Sequence, residues 1–112
     1  MARKGKSGEM TYILRLVQQY HPSSARAFLE LEAQFQELER RSPLLPQGGR
    51  YQPLLGVEPT NTLVWECKCG SLADVQKTLE QLASDPAHAA LFEKQSPYIS
   101  AMRTEVYRVL DL

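Results

Sequence analysis

The sequence predicts an α+β fold of the ferredoxin-like, split βαβ kind: strands and helices in the order βαββαβ, with a short extra helix before the last strand. Three observations carry this reading. Between Asn61 and Asp74 the apolar period changes from two to 3.6 across Gly70-Ser71, as when a strand feeds a helix that packs back on its own sheet. Ahead of it, Phe28, Leu31, Phe35 and Leu38 recur at three- and four-residue spacing, which marks an amphipathic helix. At the other end, residues 103–110 alternate again as a strand.

Each element follows in order. Residues 1–9 are basic but lack the apolar stretch and cleavage pattern of a signal peptide, so a disordered tail is expected, with residues 10–112 forming one domain. The stretch from Met10 to Gln18 is rich in β-branched and aromatic residues. It places Tyr12, Leu14 and Leu16 on one face and Ile13, Arg15 and Val17 on the other, and a strand apolar on both sides belongs in the middle of a sheet. His21-Pro22-Ser23-Ser24 turns the chain and offers serine caps to the first helix. The charges Arg26, Glu30, Glu32, Glu37, Glu39, Arg40 and Arg41 read as that helix's solvated face.

Ser42 to Gly49, with Pro43, Pro46 and two glycines, reads as a loop in which Leu44 and Leu45 plug one end of the core. A short edge strand is expected over Tyr51 to Val57, since Pro53 is tolerated only at an edge. The next strand sets Leu63, Trp65, Cys67 and Cys69 towards the core and Thr62, Val64, Glu66 and Lys68 away from it. Ser71 through Asp74 resembles a capping box, and Leu72, Val75, Leu79 and Leu82 form the buried stripe of the second helix. Asp85-Pro86 is a strong start signal for a short third helix over Ala87 to Lys94, closed by Pro97.

Right-handed crossovers in this order place both main helices on one face of an antiparallel sheet, with the first and third strands central. The opposite face would carry Ile13, Val17 and Val64 bare, which predicts a second copy laid sheet to sheet and a pairing of Arg15 with Glu66. Thirteen basic side chains balance thirteen acidic ones, so the excess positive charge of a nucleic-acid footprint is missing. No apolar run approaches the roughly 20 residues of a membrane-spanning helix. Cys67 and Cys69 point to one face as buried thiols, which suits a cytoplasmic protein, and without Cys-x-x-Cys spacing they suggest no metal site. Phosphate-binding glycine loops and G-x-S-x-G elbows are lacking from the sequence.

Four stretches resemble the NIPSNAP-like family of the dimeric α/β barrel superfamily: Tyr12-Ile13-Leu14-Arg15, Leu54-Leu55-Gly56-Val57, Leu63-Val64-Trp65-Glu66 running to Ser71-Leu72-Ala73-Asp74, and Asp85-Pro86-Ala87-His88. His88 departs from the tryptophan common there. The resemblance implies a homodimer whose sheets form a barrel, with Arg15, Val64 and Glu66 on the dimer face. It also implies a small cavity between sheet and helices in each protomer. Relatives in the wider superfamily use such cavities as cofactor-free monooxygenases, isomerases or cyclases, or to bind haem, and many NIPSNAP-like members have no settled activity.

For this chain the expectation is a homodimer binding a small apolar molecule, with no cofactor. A cofactor-independent monooxygenase, isomerase or cyclase, and a non-catalytic structural or regulatory dimer, are the alternatives. His88 is the acid-base candidate, because imidazole titrates near neutrality; a surface or capping histidine is the plainer reading. Tyr12 would act with it, lining the cavity and donating a hydrogen bond from its phenol to a substrate oxygen. Trp65, Leu14 and Cys67 would line the cavity, unless these side chains simply pack the core.

Overall fold

The computed structural model describes residues 10–112. The expected basic tail, residues 1–9, lies outside the described residues. The chain runs β1 (Tyr12–Tyr20), α1 (Ala25–Arg41), β2 (Gly49–Tyr51), β3 (Thr62–Cys69), α2 (Leu72–Ser84), α3 (Pro86–Gln95) and β4 (Ile99–Arg108). The four strands form one antiparallel sheet in the order β2-β3-β1-β4. This is the ferredoxin-like arrangement, with β1 and β3 central as the crossover rule requires.

Register decides the two faces, because residues opposite one another project to the same side. Leu14 lies opposite Cys67 and Val106, and Leu16 opposite Trp65 and Thr104. That face carries the helices: Leu14, Trp65, Cys67 and Cys69 pack with Val75 and Leu82 of α2, and Tyr12, Leu16 and Leu79 close around them. A second cluster joins Tyr20, Phe28 and Leu63, with the Tyr20 and Phe28 rings stacked at 4.4 Å between centroids. Both thiols are buried and unbridged.

The helix starts obey local chemistry. Ser71 Oγ accepts from the Asp74 amide at 3.0 Å, which caps α2, and Asp85 Oδ2 accepts from the His88 amide at 2.9 Å with Pro86 at the first helical position of α3. At α1 the expectation is only half met. Pro22–Ser24 forms a 3-10 turn first, and Ser24 reaches the N-cap position without a side-chain bond.

Four further expectations need correction. The second strand is Gly49–Tyr51, not Tyr51 to Val57, because Pro53 has no N–H to donate to β3; Gly56 turns the following loop at φ +144°, and Leu55 is 99% exposed there. β4 starts at Ile99 rather than Arg103 and stops at Arg108, where its partner β1 runs out at Tyr12. Of the proposed plug, Leu45 is buried and Leu44 is exposed. The charged face of α1 is not wholly solvated, since Glu32 and Glu39 are buried at 7% and 4% exposure.

The face away from the helices is also less bare than its apolar residues suggest. Arg15 donates to Glu66 Oε1 from Nε at 2.9 Å and from Nη2 at 2.7 Å, the expected pairing, and its guanidinium stands 4.7 Å from the centre of the Tyr107 ring. Arg103 of the edge strand β4 pairs with Glu58 of the 52–61 loop, so that loop reaches across the sheet. Val17, set between Val64 and Arg103 in the register, is only 3% exposed.

Candidate functional site

All four strands and all three helices leave a space between them of about 440 Å³. Its apolar wall is made of Leu16, Phe35, Leu79, Leu82, Phe92 and Met102, and its polar wall of Glu32, Glu39, Arg50, Trp65, His88 and Gln95. Exposed residues at the ends of α2 and α3 and on β4, including Ala83, Ala89 and Thr104, mark its mouth.

The polar wall is built by periodicity. Glu32, Phe35 and Glu39 are spaced by three and four residues, so α1 presents all three to the sheet together with Phe28. The buried stripe is therefore 28, 32, 35 and 39, rotated from the 28, 31, 35 and 38 stripe that hydrophobicity alone selects. Arg50 lies opposite Trp65 in the sheet and so projects to the same side. From there its Nε donates to Glu32 Oε2 at 2.7 Å, while Nη1 and Nη2 donate to Glu39 Oε1 and Oε2 at 3.1 and 2.6 Å. This fork-to-fork contact is the strong geometry for a guanidinium and a carboxylate.

Neighbours complete the network. Trp65 Nε1 donates to Glu39 Oε1 at 3.4 Å, and Gln95 Nε2 donates to Glu32 Oε1 at 2.9 Å and to the Phe28 carbonyl at 3.3 Å. Gln47 Nε2 holds the Glu39 and Leu45 carbonyls, tying the loop before β2 to the end of α1. Gly48 then crosses the Trp65 ring so closely that a β-carbon would stand 2.1 Å from it. Only glycine fits there without displacing the indole or the loop.

Burial opposes the charge on Arg50, but its bonds to Glu39 and Glu32 outweigh that cost and raise its pKa above the ordinary value. His88 goes the other way. Burial lowers its pKa, against the pull of Glu39 and Asp85, and its ring lies tilted against Phe35 at 4.8 Å between centroids. The wall thus holds two carboxylates, one guanidinium and an imidazole biased to its neutral form.

Solved structures share this architecture along almost the whole chain. A NIPSNAP family protein from Agrobacterium tumefaciens superposes with a TM-score of 0.75 at 16% identity, covering 94% of this chain and 90% of its own. A NIPSNAP-like domain protein from Burkholderia xenovorans gives 0.69 at 17% identity over 91% and 85%. The chain has the NIPSNAP-like fold. A candidate antibiotic biosynthesis monooxygenase from Nitrosomonas europaea is similar as well, with a TM-score of 0.66 at 12% identity over 93% and 94% of the two chains. No family model and no curated protein matches the sequence. At these identities the likeness is one of fold.

Within this NIPSNAP-like fold the residues singled out from the sequence separate into three places. Trp65 and His88 line the cavity. Tyr12, Leu14 and Cys67 share the helix-facing side of the sheet but stand in the core cluster beside α2, outside the cavity lining. Burial, and then the neighbouring Cys69, push the Cys67 thiol up to about 12, as expected for a packed and unreactive sulfur. Arg15, Val64 and Glu66 occupy the opposite face. Sequence reasoning passed over Glu32, Glu39, Arg50 and Gln95. The available signal was the 28-32-35-39 spacing, which sets two glutamates in line with two phenylalanines.

Proposed function

We propose that this protein binds a small, mostly apolar molecule in the cavity between sheet and helices, and that it does so as a homodimer joined through the open sheet face. The observation that carries the reading is the shape of the cavity: about 440 Å³ with one hydrocarbon wall and one hydrogen-bonding wall, the usual composition of a ligand site. The dimer rests on Ile13 and Val64, which are incompletely covered within one chain, beside the Arg15–Glu66 pair. Buried, unbridged Cys67 and Cys69 favour a reducing compartment, and the cytoplasm is the proposed location. Among the described residues no helix is long and apolar enough to cross a membrane.

Trp65 is the chain's only tryptophan and lines the cavity, so its fluorescence reports occupancy directly. Titration with a neutral probe such as 4-phenylbutanol is expected to give a saturable change in Trp65 emission. A linear, unsaturated response at every accessible concentration would overturn the binding reading. Sedimentation that shows only monomer at micromolar protein would overturn the dimer.

A catalytic reading has one specific support, the presence of a largely neutral imidazole, His88, in the cavity wall. In that reading His88 is the proton acceptor of a cofactor-independent monooxygenase, isomerase or cyclase reaction, and Tyr12, outside the cavity lining, has no contact with the substrate. Turnover that survives His88→Gln undiminished would remove the basis for it.

A further inference from the structure

We propose that the cavity selects ligands carrying a protonated amine on an apolar body and rejects the corresponding carboxylates. The inference deepens the binding reading above and rests on it.

The argument starts from charge. Among the described residues Arg50 is the one cation of the polar wall, and three of its donors are already engaged by Glu32 and Glu39. Two carboxylates face one guanidinium, so the wall carries a formal excess of one negative charge. His88 does not offset it, because burial lowers its pKa. An anionic head group brought into this space would meet two carboxylates and no unspent cation, whereas a monocation would leave the wall neutral.

Hydrogen-bonding capacity points the same way. Each Glu32 oxygen accepts one bond, from Arg50 and from Gln95 respectively, and a carboxylate oxygen can accept two. Gln95 is 1% exposed and lines the cavity, and its Oε1 has no protein partner among the described residues. The amide orientation is fixed by its neighbours: Nε2 faces the Phe28 carbonyl and Glu32, both acceptors, so the oxygen must point elsewhere. What the Glu32–Gln95 corner lacks is a donor, and the spare acceptor capacity at the cavity wall is that of Glu32, since Gln95 Oε1 is itself closed to solvent. An ammonium group supplies three donors and no acceptor. Its hydrocarbon body would then lie along Leu16, Phe35, Leu79, Leu82 and Met102.

The test compares one body with three heads: 4-phenylbutylamine, 4-phenylbutanol and 4-phenylbutyrate, each titrated into the full chain at pH 7.5 with Trp65 emission as the readout. The amine is expected to bind at least about tenfold more tightly than the carboxylate, with the alcohol between them. In Glu32→Gln the ratio of amine to alcohol affinity should fall towards one. Carboxylate binding equal to or tighter than amine binding would overturn the inference, as would an unchanged ratio in a folded Glu32→Gln protein. If that variant does not fold, the three affinities of the unaltered chain still decide. Alcohol binding without amine preference would defeat the head-group rule and leave the cavity reading standing, while binding of none of the three would defeat both.

Discussion

Arg50 of β2 and Glu39 of α1 meet fork to fork at 3.1 and 2.6 Å, both largely buried, and this contact fastens the edge of the sheet to the long helix. A buried pair of this kind has a small net worth against an apolar replacement, yet removing one partner strands the other charge. Arg50→Met leaves Glu39 and Glu32 buried together and is expected to cost about 3–5 kcal/mol in urea denaturation. Adding Glu32→Gln and Glu39→Gln should recover part of that loss. If the triple variant proves no more stable than Arg50→Met, charge burial is not the source of the effect.

Gly48 is the second pressure point. A methyl group there would stand 2.1 Å from the Trp65 indole, so Gly48→Ala must move the 44–48 loop or the ring. We expect a loss of about 1–3 kcal/mol and a red shift of Trp65 emission as the indole gains water. Unaltered emission together with full stability would show that the loop yields freely.

The pH dependence follows from His88. Its folded pKa is lowered by burial, so the unfolded chain binds the proton more readily and protonation favours unfolding. The stabilising contribution is complete above the ordinary imidazole value of 6.5 and is lost as pH falls through it towards the folded value. Stability measured from pH 7.5 down to 5.5 should therefore decline more steeply in the unaltered protein than in His88→Leu. Parallel profiles would assign the decline to other groups.

The two thiols offer a chemical check. Cys67 and Cys69 are both buried, and Cys67 is held at about 12, so its thiolate is scarce near neutrality. A disulfide reagent at pH 7.5 should leave both unmodified in the native protein and titrate two thiols after denaturation. Rapid labelling of the native chain would mean that the core beside α2 opens readily.

Much of this molecule was legible residue by residue, because it depends on local chemistry. Ser71 caps α2 and Asp85-Pro86 starts α3 through contacts three residues long, and alternation in β3 assigns Trp65 and Cys67 to the helix side before any neighbour is known. Even the Arg15–Glu66 pair follows once β1 and β3 are adjacent. The polar wall was not legible in this way. Glu32 and Glu39 look like solvent residues in a run of charge, and they become interior only because Arg50, brought alongside by the pairing of β2 with β3, compensates them. The second strand was likewise decided by pairing: three residues before Pro53 reach β3, and the apolar stretch after it does not. Local sequence thus determined the elements, their caps and their faces. Tertiary structure alone decided which charges could leave water, since burying a carboxylate requires a partner at hydrogen-bonding distance and that partner lies in another element.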